Sequence, residues 1–241
     1  MATIIEDVIL HSPDHSNPPI DLNLEKFMGT WHVIHSTLPL WTSKKDVTIT
    51  YALKPSSATG EVQFDDTVEY RAKSASSSSK RSRVTGVDTL AVSPQSDVPL
   101  STGEQREVAS TASRPALTRY KWRGKGWLAV ATSRWQVLGC SRDTSPENPN
   151  AWAVTYFERT LFTPQGLDIY SRTAEGLPDE LVREIIAKAK ALGGDVAKLA
   201  EAFFEVERSG VTPGKAVSEP PRRMESVNKI DVLNHVALSP S

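Results

Sequence analysis

The stretch Trp152–Arg172, WAVTYFERTLFTPQGLDIYSR, reads as a β-hairpin. Trp152 to Arg159 and Leu167 to Arg172 are rich in β-branched and aromatic residues, and Pro164-Gln165-Gly166 supplies a turn between them. The same pattern repeats towards the N-terminus. Trp135 to Cys140 and Trp127 to Thr132 precede the hairpin. Arg123-Gly124-Lys125-Gly126 is a tight turn, and Leu117 to Trp122 resumes the strand pattern. Before these come Arg83–Val92, Glu61–Arg71, Asp46–Leu53 and Gly29–His35. Strands in an almost unbroken series, mostly joined by short turns, predict an all-β fold: a sandwich or an eight- to nine-stranded antiparallel up-and-down barrel.

The period changes only after Arg172. Pro178 opens a helix with Asp179 and Glu180 in its first turn, where the helix dipole favours acids. Leu181, Ile185, Ala189 and Leu192 form one apolar face, and Gly193-Gly194 ends the helix. Asp195 is placed to cap a second helix over Val196–Glu205. Three regions follow: an N-terminal arm over 1–24, a barrel with helices over 25–206, and an extended tail over 207–241. Residues 73–83, with Ser76-Ser77-Ser78-Ser79 and Lys80-Arg81-Ser82-Arg83, read as a mobile hairpin loop. As a nucleic-acid patch they lack interleaved aromatics. Residues 93–116 hold few large apolar side chains and read as a long loop, a gate at the mouth of a barrel or an insertion.

Composition narrows the function. The 241 residues are 39% hydrophobic and 24% charged, as in a soluble globular protein. Lys and Arg number 28 against 29 acids, so no net positive field draws the chain to nucleic acid. No apolar run approaches the roughly 20 residues of a membrane span. Met1–Leu10 carries two acids and no basic region, so no secretory signal is expected and the expected location is cytoplasmic. Cys140 is the single cysteine, which excludes an intrachain disulfide. No nucleotide or metal motif occurs, so neither cofactor nor metal is expected.

Several stretches resemble the lipocalin family. They are Gly29-Thr30-Trp31 at the first strand, Trp135-Gln136-Val137-Leu138-Gly139, Trp152-Ala153-Val154-Thr155-Tyr156, and Asp168-Ile169-Tyr170-Ser171-Arg172. Ala187–Val196 is similar to the segment after the barrel helix in the bacterial-lipocalin and apolipoprotein-D-like branch, nearest to intracellular lipocalin-like proteins of filamentous fungi. The resemblance runs over residues 24–206. It implies an eight-stranded calycin barrel with a helix on its wall, and a structural signature of Gly29, Trp31 and Arg172 in which the guanidinium packs over the indole at the closed end.

The candidate site residues follow from alternation. If Trp31 points into the barrel, so do Val33 and His35, while His32 faces the other way. Trp152, Val154, Tyr156 and Glu158 share one face; Asp168, Tyr170 and Arg172 share another, and pairing alone decides which is interior. A buried Glu158 or Asp168 would have a raised pKa. The expected ligand contacts are Val33, His35, Trp135, Trp152, Val154, Tyr156 and Tyr170. Two functions fit a barrel walled by six Trp, five Tyr and six Phe. One is binding of a hydrophobic aromatic or polyene molecule. The other is a cofactor-free cyclase or isomerase in the same cavity, with His35, Tyr156 and Glu158 as its polar groups.

Overall fold

The computed structural model describes residues 7–13, 20–55, 61–91, 117–161 and 163–211. Its strands are β1 (Gly29–Ser36), β2 (Lys44–Leu53), β3 (Gln63–Ala72), β4 (Ser82–Leu90), β5 (Arg119–Gly124), β6 (Thr132–Cys140), β7 (Trp152–Phe157), β8 (Gly166–Ser171) and β9 (Phe204–Glu205). Each strand from β2 to β7 pairs antiparallel with the next. β1 then joins β8 to β2, closing eight strands into a barrel. Its first residues, Gly29–His32, pair with β2; beyond them, His35 and Ser36 pair with the short β9.

Alternation divides the strands into two apolar faces. Trp31, Val33, Ile49, Tyr51, Phe64, Tyr120, Trp135, Val137, Ala153 and Tyr170 form the interior. Ile34, Leu138, Trp152, Val154, Leu167 and Ile169 face outward. Their cover is helix α2 (Asp179–Ala191), which presents Val182, Ile185, Ile186 and Ala189. A short helix α1 (Leu24–Phe27), capped by Asn23 Oδ1, precedes β1, and α3 (Gly194–Ala200) follows α2. Three strands carry a bulge: β1 between Val33 and His35, β2 between Lys45 and Thr48, and β6 between Val137 and Gly139; those in β1 and β6 each add one outward residue. The extra residues, Ile34 and Leu138, both enter the outer cluster.

Both ends of the described chain are fastened to the barrel. In the N-terminal arm, His11 N donates to Leu138 O at 2.8 Å, Arg119 Nη2 donates to Pro13 O at 2.9 Å, and Val8 and Leu10 are buried with α2. After β9, Val206 N donates to Ile34 O and Asp46 N to Glu207 O, each at 2.9 Å. Asp46, at φ 54, takes bonds from Ser209 N and Oγ and from Arg71 Nη1. The docked chain therefore continues to residue 211, past the boundary expected at 206.

Other sequence expectations need amending. Gly126–Val130 is a 3-10 turn, not a strand, and β6 runs unbroken from Thr132. The second helix ends at Ala200, because Phe204 and Glu205 pair with β1 instead. The connection after β3 is folded into turns: Arg71 Nε donates to Ser79 O at 2.8 Å, and Arg81 Nη2 reaches Asp46 O, Thr48 Oγ1 and Glu69 O. Residues 93–116 lie outside the described residues. β4 ends and β5 begins at the same end of the barrel as the start of β1.

Gly139 gives the arm its seat. A Cβ there would lie 2.3 Å from Ile9 O, a backbone atom that cannot move alone. Gly139→Ala is expected to cost about 1–3 kcal/mol and to raise hydrogen exchange in residues 7–13. Unchanged exchange in the arm would show that the close approach does not hold it.

Candidate functional site

The barrel interior is ring against ring. Trp135 lies 4.6 Å from Tyr120 and stacks on Tyr51 at 5.6 Å. Phe64 meets Tyr120 at 5.0 Å and Tyr51 at 5.3 Å. None of Tyr51, Phe64, Tyr120, Trp135 and Tyr170 exposes more than 3% of its surface, so the middle of the barrel is filled. Towards the end where β1, β3 and β7 finish, Tyr70, Trp122, Phe157 and Phe204 pack on these rings and are only partly buried. Trp41, on a 3-10 turn in the β1–β2 connection, reaches in at this end: its Nε1 donates to Asp168 Oδ2 at 3.3 Å, and its ring lies 6.3 Å from Tyr70.

Three carboxyl groups lie among the rings. Asp168 accepts from Ser36 Oγ at 2.5 Å and from Trp41 Nε1. Burial pushes its pKa up to about 7, against the pull of those two donors. Asp88 accepts from Trp135 Nε1 at 2.7 Å. Burial pushes it too up to about 7, opposed by bonds from Trp135 and Asp66. Asp66 is driven well above the carboxylate range by burial, then by the charge of Asp88 beside it. Among the described residues, no ammonium or guanidinium is among the partners of Asp66 or Asp88, and Asp66 Oδ1 and Asp88 Oδ2 receive no hydrogen bond. Tyr170 Oη lies beside the Tyr51 and Thr155 hydroxyls, but neither it nor Thr155 Oγ1 closes a hydrogen bond of good geometry.

The expected site residues divide between the two faces. Val33, Trp135 and Tyr170 face the interior. Trp152, Val154 and Tyr156 pack under α2 instead, and Glu158 is exposed on that side of the strand. His35 corrects the expectation from simple alternation. The bulge at Ile34 shifts the register, so His35 pairs with Ile169 on the outer face, as His32 pairs with Ser171. There burial, reinforced by Arg208, lowers its pKa to about 4, and its Nδ1 has no partner. The trio His35, Tyr156 and Glu158 is therefore not gathered in the interior. The interior polar groups that sequence reasoning passed over are Asp66, Asp88, Tyr51, Ser36 and Trp41. A signal for the acids was present: Asp66 is in phase with Phe64 and Val68, and Asp88 with Val84 and Leu90. No group of three or more potential metal ligands occurs among the described residues.

The opposite end is shut. The Arg172 guanidinium carbon lies 3.6 Å from the centre of the Trp31 ring, and Trp31 Nε1 donates to Phe27 O at 2.9 Å. Arg172 donates to Thr144 O, Thr30 O, Lys26 O and Met28 O, tying β8, β1, α1 and the β6–β7 connection together. Burial lowers its pKa to about 10, so it stays charged at neutral pH. The closed eight-stranded antiparallel barrel with a packed helix is the architecture that the lipocalin resemblance implied. No family model and no curated protein sequence matches the chain. Solved structures with a similar barrel include lobster apocrustacyanin A1, at 15% identity and TM-score 0.47, covering 89% of this chain and 96% of the other. Insecticyanin of the tobacco hornworm Manduca sexta matches at 16% and 0.48, covering 85% and 90%. The amine-binding protein of Rhodnius prolixus, solved with tryptamine, matches at 13% and 0.43, covering 82% and 86%.

Two outcomes test this geometry. Trp31→Ala removes a fully buried indole and is expected to destabilise the lipocalin-like barrel by about 3–5 kcal/mol, read as a fall in melting temperature. An unchanged melting point would mean that the indole does not close the barrel. Asp168 is raised in the folded state, so its contribution favours folding at low pH and is lost as pH rises from about 4 to about 7. Asp168→Asn lacks that loss. Its stability relative to the parent should improve between about pH 5 and pH 8 in denaturant titrations. The opposite trend of His35 is common to both proteins and cancels.

Proposed function

We propose that the barrel interior binds a small apolar, aromatic or polyene molecule, which enters where Tyr70, Trp122 and Phe157 are partly exposed. The observation that carries this reading is the set of buried polar atoms without partners inside a ring-lined barrel: Tyr170 Oη and Thr155 Oγ1, beside Asp66 and Asp88. Folded proteins pair nearly all such atoms, and each orphan costs about 1–3 kcal/mol. A barrel that only had to fold would be better served by apolar side chains there. A ligand with one polar end would satisfy them. Because the rings fill the middle of the barrel, entry requires Trp41 and the Trp135–Tyr51 stack to part. The branch resemblance carried by Ala187–Val196 belongs to this proposal as well.

A second reading, a cofactor-free cyclase or isomerase, is favoured by one observation: Asp88 and Asp168 are interior acids brought to about 7, where a carboxyl can either give or take a proton. In that reading they take the place of His35, Tyr156 and Glu158.

The test uses 2-(1-naphthyl)ethanol, a neutral apolar probe with one hydroxyl, followed by tryptophan emission. Tyr170→Phe deletes an orphan hydroxyl but keeps the ring. The ligand-free variant should be as stable as the parent or more stable by about 1 kcal/mol, while affinity for the probe falls several-fold. A loss of stability with unchanged affinity would assign the hydroxyl to folding and remove the main support for a binding barrel.

A further inference from the structure

Asp66 and Asp88 come from neighbouring strands: Asp66 pairs with Gly86, and Asp88 with Phe64, so the two acids are diagonal neighbours on the interior face. Gly86 contributes no side chain, and the Trp122 indole occupies the space a Cβ would take there, with Nε1 at 2.1 Å from that position. Around the pair stand Tyr51 from β2, Phe64 from β3, Tyr120 from β5 and Trp135 from β6. From β8, Tyr170 feels the charges of both Asp66 and Asp168, and its fully buried hydroxyl closes no good hydrogen bond. The titratable groups facing the pair among the described residues are thus tyrosines and a third acid, with no lysine, arginine or histidine among its partners there.

We propose that the Asp66–Asp88 pair recognises the ammonium group of a small apolar amine, with the surrounding rings as its cage; this rests on the binding-barrel reading above. An acid pair without a counter-ion inside an apolar barrel is a cost in the empty protein, and a neutral hydrocarbon would leave it one. A cation reverses the sign: it supplies the missing charge, and the rings of Trp135, Tyr120 and Tyr51 attract it as well once the Trp135–Tyr51 stack parts. The indole bond from Trp135 holds Asp88 Oδ1, leaving Asp88 Oδ2 and Asp66 Oδ1 for the ligand. Two carboxyl groups are too few for a hard metal ion, which takes six or more oxygens. Tyr170 Oη is the natural partner for a second polar atom on the ligand. A cation favours the ionised form of the two acids, so affinity should rise as the pair deprotonates.

The experiment compares 2-(1-naphthyl)ethylamine, protonated throughout the range used, with 2-(1-naphthyl)ethanol, by calorimetric titration of the full chain. The amine should bind at least ten-fold more tightly at about pH 8. That advantage should shrink at about pH 5.5, while the alcohol shows no matching trend. Asp88→Asn should reduce the amine to the affinity of the alcohol and leave alcohol binding intact. Should that variant not fold, Asp66→Asn makes the same comparison, and the pH dependence of the unaltered protein stands independently. Equal binding of both probes, or an amine advantage that survives the substitution, overturns the ammonium site and leaves the binding barrel standing. Binding of neither probe overturns the barrel reading and the ammonium site with it.

Discussion

Arg172 holds the barrel shut. A single guanidinium on the residue after β8 lies over the Trp31 indole and donates to carbonyls of α1, β1 and the β6–β7 connection. These segments are distant in sequence, and no backbone ladder joins them all. Removing the side chain would leave several carbonyls facing inward at once, and the indole would lose its cover. The arginine keeps its charge because the carbonyl oxygens and the ring face replace the water it loses. With one end closed in this way, only the other is left for traffic.

The positions of the bulges in β1 and β6 then decide what each face of the wall can do. Without the extra residue at Ile34, His35 would continue inward behind Trp31 and Val33; with it, Ser36 takes the inward place and meets Asp168. The bulge at Leu138 does the same on β6, bringing Gly139 beneath the arm. Strand order, the α2 face and the closing pair were legible in the sequence, because period, turn residues and the Gly-x-Trp and Ser-Arg stretches persist through local irregularities. The inward set was legible only up to the first bulge. A bulge leaves no residue-type signature here: Ile34 is one aliphatic residue in an aliphatic run. His35 was misplaced for that reason alone. On β7 and β8 no bulge intervenes, and the sharing of faces by Tyr156 with Val154 and by Asp168 with Tyr170 was read correctly, although which face was inner depended on pairing.

The interior acids illustrate a different limit. Asp66 follows Asp65, and in sequence the two look equivalent. Alternation sends Asp65 to the surface, where Lys125 Nζ meets it at 2.8 Å, and Asp66 into the barrel, where it meets another acid. Phase with neighbouring apolar residues separates them, but the partner 22 positions away becomes visible only with strand register in hand. Local propensity carries no term for two like charges meeting across a sheet, which is why such departures from good core design concentrate where a protein does more than fold.

The bond from Trp135 to Asp88 has an optical consequence. The indole is hydrogen-bonded at 2.7 Å to one member of the acid pair, stacked on Tyr51 and tilted against Tyr120. Its excited state therefore feels any change in the charge of that pair, and energy absorbed by Tyr51 or Tyr120 reaches it over a few ångströms. The barrel carries its own chromophore beside its interior acids. A change in emission from that ring reads the ionisation of the interior directly, with no added label.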